Sequence, residues 1–236
     1  DVYKRQLFDL GITGRDWVEE TGAEVVSLGE LKYSKATSNP VRIVVAVQQD
    51  SPATSVNDLP HGLRVSTEYP TLTRRFFAER GIDADIRLSY GATEAKVPDI
   101  VDCVVDITET GRALRAAGLK IIDTIVTSYT ELVATPVAQA DPAKAHAMNQ
   151  IRTLLMGALD ARGRVLLKLN VPKDRLDAVI AEMPAAKAPT VNELYGGTGY
   201  AVESVVPKQG INTLIPRLLE LGASDILELP ILKIVP

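Results

Sequence analysis

Cysteine occurs once in the 236 residues, as Cys103, and histidine only twice, as His61 and His146. A single cysteine excludes an internal disulfide framework and a cysteine zinc site built within one chain, and it fits a reducing compartment. Two histidines without paired ligand spacing make a multi-histidine metal site untenable. No apolar run approaches the roughly 18 residues of a membrane-spanning helix, so no membrane partner is expected. Positive charge is not in excess either: 26 Lys and Arg stand against 30 Asp and Glu, a net −4. Without a basic field no nucleic-acid partner is expected, and any anionic ligand must be held by local geometry.

What is present is globular: 46% hydrophobic and 24% charged, with 16 glycines and 14 prolines suiting many short elements. The length exceeds what one small domain needs and reaches two of ordinary size. The chain opens on Asp1, no signal peptide is legible, and LFDLGIT (Leu7–Thr13) reads as a strand already under way. A longer parent protein is therefore expected, with Asp1–Gln6 (DVYKRQ) read as foreign to its native sequence.

Strands alternate with short helices over the first half. VRIVVAV (Val41–Val47) is a β-branched run suited to burial on both faces. LRVST (Leu63–Thr67) is the next strand, Thr71 is the expected N-cap of the helix LTRRFFAER, and Gly81 closes it. VDCVVDI (Val101–Ile107) is a strand followed by a helix from Gly111 to Ala117. The pattern points to an α/β layer fold with a largely parallel sheet. Asp141-Pro142 is a strong start signal for a long helix, with Ala147, Ile151, Leu154, Leu155, Ala158 and Leu159 on one apolar face. Beyond Arg162 the order strand, helix, strand, strand, helix, strand is the split ferredoxin-like unit, its last strand expected over Ile226–Val235.

Chemistry concentrates in VDCVVDITETGRALRAAGL, Val101–Leu119. A strand ends near Asp106, the loop Thr108-Glu109-Thr110-Gly111 follows, and a helix starts near Arg112. Backbone N–H groups of such a loop converge on one point, where they and the helix dipole hold a phosphate without net basic charge. Thr110 adds a hydroxyl donor and Gly111 lets the backbone approach. Spacing alone also fits an ordinary strand–turn–helix with an acidic, solvated turn.

Asp106 at the end of an apolar run, with Thr-Gly-x-x-Leu from Thr110 to Leu114, resembles the phosphoribosyl-diphosphate loop of phosphoribosyltransferases. Four blocks narrow the resemblance to the ATP phosphoribosyltransferases that open histidine biosynthesis. They are FDLGITGRD (Phe8–Asp16), RVSTEYPTLTRRFF (Arg64–Phe77), GATEAKVPDIVDCVVDITETGRALRAAGL (Gly91–Leu119), and MPAAKAPTVNELY with VVPKQGINTLIPRLLELGASDIL (Met183–Leu227).

The resemblance implies an α/β fold: a two-lobed catalytic body of the periplasmic-binding-protein type II kind plus a C-terminal ferredoxin-like, ACT-like βαββαβ domain. Lobe I is expected over 1–34 and again over 130–162 with the connecting helix, lobe II over 35–129, and the regulatory domain over 163–236. It implies a glycosyltransferase joining N1 of ATP to C1 of phosphoribosyl diphosphate, with Mg2+ as cofactor. Glu109, Thr110, Gly111 and Ala113 would hold the 5′-phosphate, with Asp106 near the ribose. Glu94 would face the diphosphate side, Mg2+ would lie near Glu94 and Asp106, and Asp16 would help hold ATP. In the C-terminal domain, Asn170, Ala188, Thr190 and Asp225 would contact L-histidine as feedback inhibitor. A cytoplasmic homo-oligomer, dimer or hexamer, is implied as well. The same two-lobed body also describes a non-catalytic solute-binding protein, the alternative reading.

Two departures stand out. Relatives usually carry a hydroxyl residue where this chain has Ala113, and the family's N-terminal segment is absent, so the chain alone is expected to be impaired. Cys103, inside an apolar strand, and Trp17 are expected in the core. Arg74 and Arg75 are expected mainly as solvated helix residues, and Tyr69-Pro70 as a turn with a packing aromatic.

Overall fold

The computed structural model of the protein describes residues 8–32, 40–91, 97, 99–184 and 188–235. The chain divides into two units, Asp1–Asn149 and Gln150–Pro236. The first contains β1 (Leu10–Gly14), α1 (Arg15–Thr21), β2 (Val26–Leu31), β3 (Val41–Gln48), β4 (Leu63–Thr67) and α2 (Pro70–Ala78). It continues through β5 (Ala84–Leu88), β6 (Cys103–Thr108), α3 (Arg112–Ala116), β7 (Leu119–Ser128), β8 (Thr130–Ala134) and α4 (Pro136–Ala140). Helix α5 (Pro142–Ala161) follows, and then β9 (Arg164–Pro172), α6 (Leu176–Glu182), β10 (Thr190–Glu193), β11 (Gly199–Pro207), α7 (Ile211–Glu220) and β12 (Ser224–Pro230).

The first unit has two sheets. A three-stranded antiparallel sheet runs β1-β8-β2, and a five-stranded sheet runs β5-β4-β6-β3-β7. The chain starts in the small sheet, crosses to the large one, and returns at Tyr129 between β7 and β8. That is the two-lobed topology expected; the outgoing boundary expected between residues 34 and 35 lies outside the described residues. The large sheet is not largely parallel. β4 runs parallel to β5 and β6, but β3 is antiparallel to both β6 and β7. A strand buried on both faces reads as a continuous apolar run whichever way its neighbours point, so VRIVVAV carries no direction. Its burial is as expected. Ile43, Val45 and Val47 pack with Leu72, Phe76 and Phe77 of α2 on one face, and Val44 and Ala46 with Leu114 and Leu119 on the other.

Helix α2 starts two residues early. Tyr69 is its N-cap and Pro70 its first residue, so Thr71 is internal. Proline at the first position leaves no orphaned N–H there. The N–H groups of Thr71 and Leu72 instead donate to the Glu20 carboxylate, both at 2.8 Å. That cap comes from 51 residues away and no local pattern shows it.

Asp141 caps α5 as expected, its Oδ1 accepting from the N–H groups of Ala143 and Lys144 at 2.8 and 3.1 Å. The helix buries Met148 against Ala134 and Ala138, while Ile151 and Leu154 of the expected apolar face stay exposed. Periodicity fixes which residues share a helix face, not what that face meets.

In the second unit the strand order is β10-β11-β9-β12, all pairs antiparallel. This is the expected ferredoxin-like arrangement, with Val165, Leu167, Leu169, Val202 and Val206 facing α6 and α7 in one core. The last strand ends at Pro230 rather than Val235. Proline cannot donate to a ladder, and beyond it the Ile234 N–H donates to the Gly157 carbonyl at 2.9 Å.

Candidate active site

Because β4 and β6 are parallel neighbours, with Thr67 opposite Val105, their carboxyl ends share one edge of the large sheet. In α/β sheets such edges open onto the ligand crevice. The segment after β4 leads through Tyr69 into α2. The segment after β6 is Glu109-Thr110-Gly111, leading into α3.

The loop after β6 is stitched from within. The Gly111 N–H donates to Thr108 Oγ1 at 2.8 Å, and Arg115 Nη2 donates to the Thr110 carbonyl at 3.0 Å. Gly111 has φ +71, and a Cβ there would lie 2.8 Å from Arg115 Nη1 and 3.2 Å from Ile121 Cδ1. Glycine is required for both reasons. No side chain caps α3, so its first-turn donors are left without a side-chain acceptor. Thr110 and Ala113 are exposed and Glu109 half-buried. Asp106 is half-buried, its Oδ1 accepting from the Ile107 N–H at 2.7 Å. The structure thus brings Asp106, Glu109, Thr110, Gly111 and Ala113 to one strand–helix junction. Glu94 lies outside the described residues. Thr108 is the first residue of the expected loop, but the sequence assigns its side chain no role; a hydroxyl three residues before a glycine is the local signal for holding the turn.

Asp16 sits elsewhere than at a solvent-facing ligand contact. It is 2% exposed. Its Oδ1 accepts from Ser128 Oγ at 2.7 Å and its Oδ2 from the Tyr69 hydroxyl at 3.0 Å, while its own N–H donates to Ser128 Oγ at 3.0 Å. A side chain on Gly14 would run into the Asp16 carboxylate, which explains the glycine two residues before the acid in GITGRD. Burial, and then the Asp16 charge, push the Tyr69 hydroxyl far above its ordinary value; Asp106 adds to the same effect. Tyr69 and Ser128 were not legible as partners of Asp16, since they stand 53 and 112 residues away. Trp17 is not core: it is 39% exposed, its ring 5.0 Å from that of Tyr69. Arg74 is exposed, but Arg75 pairs with Glu19 at 3.0 Å.

Cys103 is fully buried, and burial raises its thiol to about 12. The thiolate is the reactive form. A thiol reagent at pH 8 should label the native protein at least about a hundredfold more slowly than the denatured chain; comparable rates would show that β6 opens readily.

In the second unit a cavity of about 480 Å3 is lined by residues that include Asp160, Arg164, Leu166, Ala188, Thr190 and Glu203. It brings Ala188 and Thr190 together. Asn170 and Asp225 lie outside that lining and pair with each other, Asn170 Nδ2 donating to Asp225 Oδ2 at 3.0 Å. Asp225 has φ +49, and Ser224 Oγ also donates to its carboxylate at 3.1 Å. Among the described residues no group of three or more His, Cys, Asp or Glu is arranged to hold a metal. Among the described residues no helix is long and apolar enough to cross a membrane.

Comparison with known proteins gives one consistent answer. Residues 2–157 match the family model described as ATP phosphoribosyltransferase, and residues 161–233 match that of its C-terminal domain. An ATP phosphoribosyltransferase of Pelotomaculum thermopropionicum is 45% identical over 98% of this chain and 79% of its own length. One from Geotalea uraniireducens is 42% identical over 98% of this chain and 80% of its own. Among solved structures, the ATP phosphoribosyl transferase (HisG:HisZ) complex from Thermotoga maritima superimposes with a TM-score of 0.54 at 25% identity, over 64% of this chain and 70% of that one.

Proposed function

The chain belongs to the ATP phosphoribosyltransferase family, and from that premise we infer how its parts carry out the first step of histidine biosynthesis. The lone pair of adenine N1 forms a bond to C1 of phosphoribosyl diphosphate. The bond from C1 to the diphosphate oxygen breaks, and its electron pair leaves with diphosphate. A displacement at an oxocarbenium-like carbon needs no protein nucleophile. It needs two large anions positioned and the departing charge neutralised.

The observation that carries this assignment to residues is the β6–α3 junction. Its uncapped helix start and left-handed Gly111 supply backbone donors at the shared edge of β4 and β6. Glu109, Thr110 and Gly111 hold the 5′-phosphate there, joined by the Ala113 N–H, and Asp106 accepts from the ribose hydroxyls. Magnesium is held mostly by substrate oxygens in such chemistry, with one or two carboxylates from the protein. Asp106 fits that donor set, being a hard oxygen ligand at the crevice, and Glu94, outside the described residues, would be the second ligand. When bound, the ion neutralises the departing diphosphate.

Asp16 holds the β1–α1 turn through Tyr69 and Ser128, so any effect on ATP is exerted through that turn. In the second unit, the cavity bordered by Ala188 and Thr190 supports a regulatory role for L-histidine, and Asn170 with Asp225 fixes the β9–β12 end of the same sheet. A homo-oligomer working in the cytoplasm completes the reading.

Diphosphate release from ATP and phosphoribosyl diphosphate in the presence of magnesium, with and without histidine, tests it. No release would overturn the catalytic reading; release unaffected by histidine would remove the regulatory one. Ala113→Thr restores a hydroxyl on the exposed first turn of α3. A hydrogen bond to a charged group contributes about 1.5–3 kcal/mol. The KM for phosphoribosyl diphosphate should therefore fall about tenfold, and an unchanged value would show that backbone donors already suffice.

A further inference from the structure

Helix α1 and the N-terminal end of α2 belong to different sheets, yet they are joined by a set of contacts in which one side only accepts and the other only donates. From α1 come three carboxylates, Asp16, Glu19 and Glu20, at the i, i+3 and i+4 spacing that places them on one helix face. From α2 come the Tyr69 hydroxyl to Asp16 at 3.0 Å, the N–H groups of Thr71 and Leu72 to the two oxygens of Glu20 at 2.8 Å, and Arg75 Nη2 to Glu19 at 3.0 Å. The rings of Trp17 and Tyr69, 5.0 Å apart, close the joint on one side. Ser128, the last residue of β7 before the chain returns to the small sheet, donates into it from behind.

The place of this joint matters. The start of α2 lies at the same sheet edge as the β6–α3 loop, because β4 and β6 are parallel neighbours. The Asp106 charge is felt at the Tyr69 hydroxyl. A helix N-terminus favours a carboxylate, and two of its otherwise orphaned donors are satisfied by Glu20 alone. We propose that Glu19 and Glu20 of α1, with Arg75 and the first turn of α2, form an interlobe clasp that sets how the two lobes meet around the substrates. Glu20 is then a positioning residue for the transferase reaction, acting through α2 without touching the reactants. This rests on the catalytic reading above.

The test replaces Glu20 by Ala and by Gln, and Arg75 by Ala, alone and with Glu20→Ala. Steady-state constants for both substrates are measured, together with amide hydrogen exchange across α1 and α2. Loss of an interlobe coupling should raise the KM of both substrates about tenfold in Glu20→Ala, with kcat within about threefold. Glu20→Gln, which keeps one acceptor oxygen, should lie between. Amides of Thr71 and Leu72 should exchange at least about tenfold faster, and those of α1 should accelerate with them. The Glu20→Ala and Arg75→Ala effects should not add, because both act on one joint. Faster exchange at α2 alone, with both KM values unchanged, would reduce Glu20 to a local cap and overturn the proposal. A wild-type protein without transferase activity would defeat the catalytic reading instead; joint or separate exchange of α1 and α2 would still decide whether the clasp exists.

Discussion

Gly111→Val is expected to lower kcat/KM for phosphoribosyl diphosphate by about a hundredfold or more, with a much smaller change in the KM for ATP. The backbone at Gly111 has φ +71, where an L-residue costs about 1–2 kcal/mol and a β-branched one more. The added Cβ also meets Arg115 Nη1 at 2.8 Å and Ile121 Cδ1 at 3.2 Å. Arg115 is a long exposed side chain that can withdraw, but withdrawal breaks its bond to the Thr110 carbonyl. The cheapest relief is to rotate the Gly111 backbone out of the left-handed region. That ends the donation of its N–H to Thr108 and turns the first donors of α3 away from their common point. Each donor lost to a phosphate costs about 1.5–3 kcal/mol, and two of them account for the expected loss. Gly111→Ala should fall between wild type and valine. Steady-state kinetics with a thermal melt separates this from unfolding. A valine variant that kept its KM for phosphoribosyl diphosphate within threefold would show that the phosphate is held elsewhere.

The second large effect is on stability. Tyr69→Ala should destabilise the first unit by about 4–6 kcal/mol, and Tyr69→Phe by about 1.5–3 kcal/mol. Tyr69 is 2% exposed and packs in the core with Leu72, Phe76 and Val105. Alanine therefore leaves a cavity as well as an acid without its donor. Phenylalanine keeps the packing and removes only the hydroxyl, leaving Asp16 Oδ2 buried without it. Against a typical domain stability of about 5–15 kcal/mol, the alanine variant sits at the edge of folding. Urea titration of both variants measures the difference; equal losses would mean that the hydroxyl carries the whole effect.

The same pair of variants reports on pH. The Tyr69 hydroxyl is held neutral in the folded protein by burial, foremost, and by the neighbouring Asp16 charge, so its folded value is raised. Its contribution is complete below the ordinary tyrosine value near 10 and is lost as pH rises above it. Tyr69→Phe should flatten the alkaline limb of the stability profile above about pH 10.

Much of the fold was legible because its signals are local. Asp141 before Pro142 starts a helix whatever surrounds it, and the alternation of strands and helices after Arg162 reads directly as βαββαβ. The strand, loop and helix around Gly111 were equally plain, since a left-handed turn needs glycine at one defined place. Less of the site was legible. The acid of GITGRD is expected to help hold ATP, but that its carboxylate is buried against a tyrosine and a serine supplied by two other elements is not written in any local pattern. Thr71 reads as a helix cap, yet a glutamate from α1 does that work. Ala188 and Thr190 are expected alongside Asn170 and Asp225 around one ligand; the cavity is bordered by the first two, while the second two pair with each other across β9 and β12.

The division has one physical cause. By itself the sequence determined what depends on neighbours within a turn or two: helix starts, left-handed glycines, apolar periods and the family they add up to. The direction of β3 in its sheet, the partners of Asp16 and the joint between α1 and α2 depend on contacts across 50 residues or more. Buried polar groups must find partners somewhere, but chain pattern does not say where. Only the packing of the two sheets brought those partners within hydrogen-bonding distance.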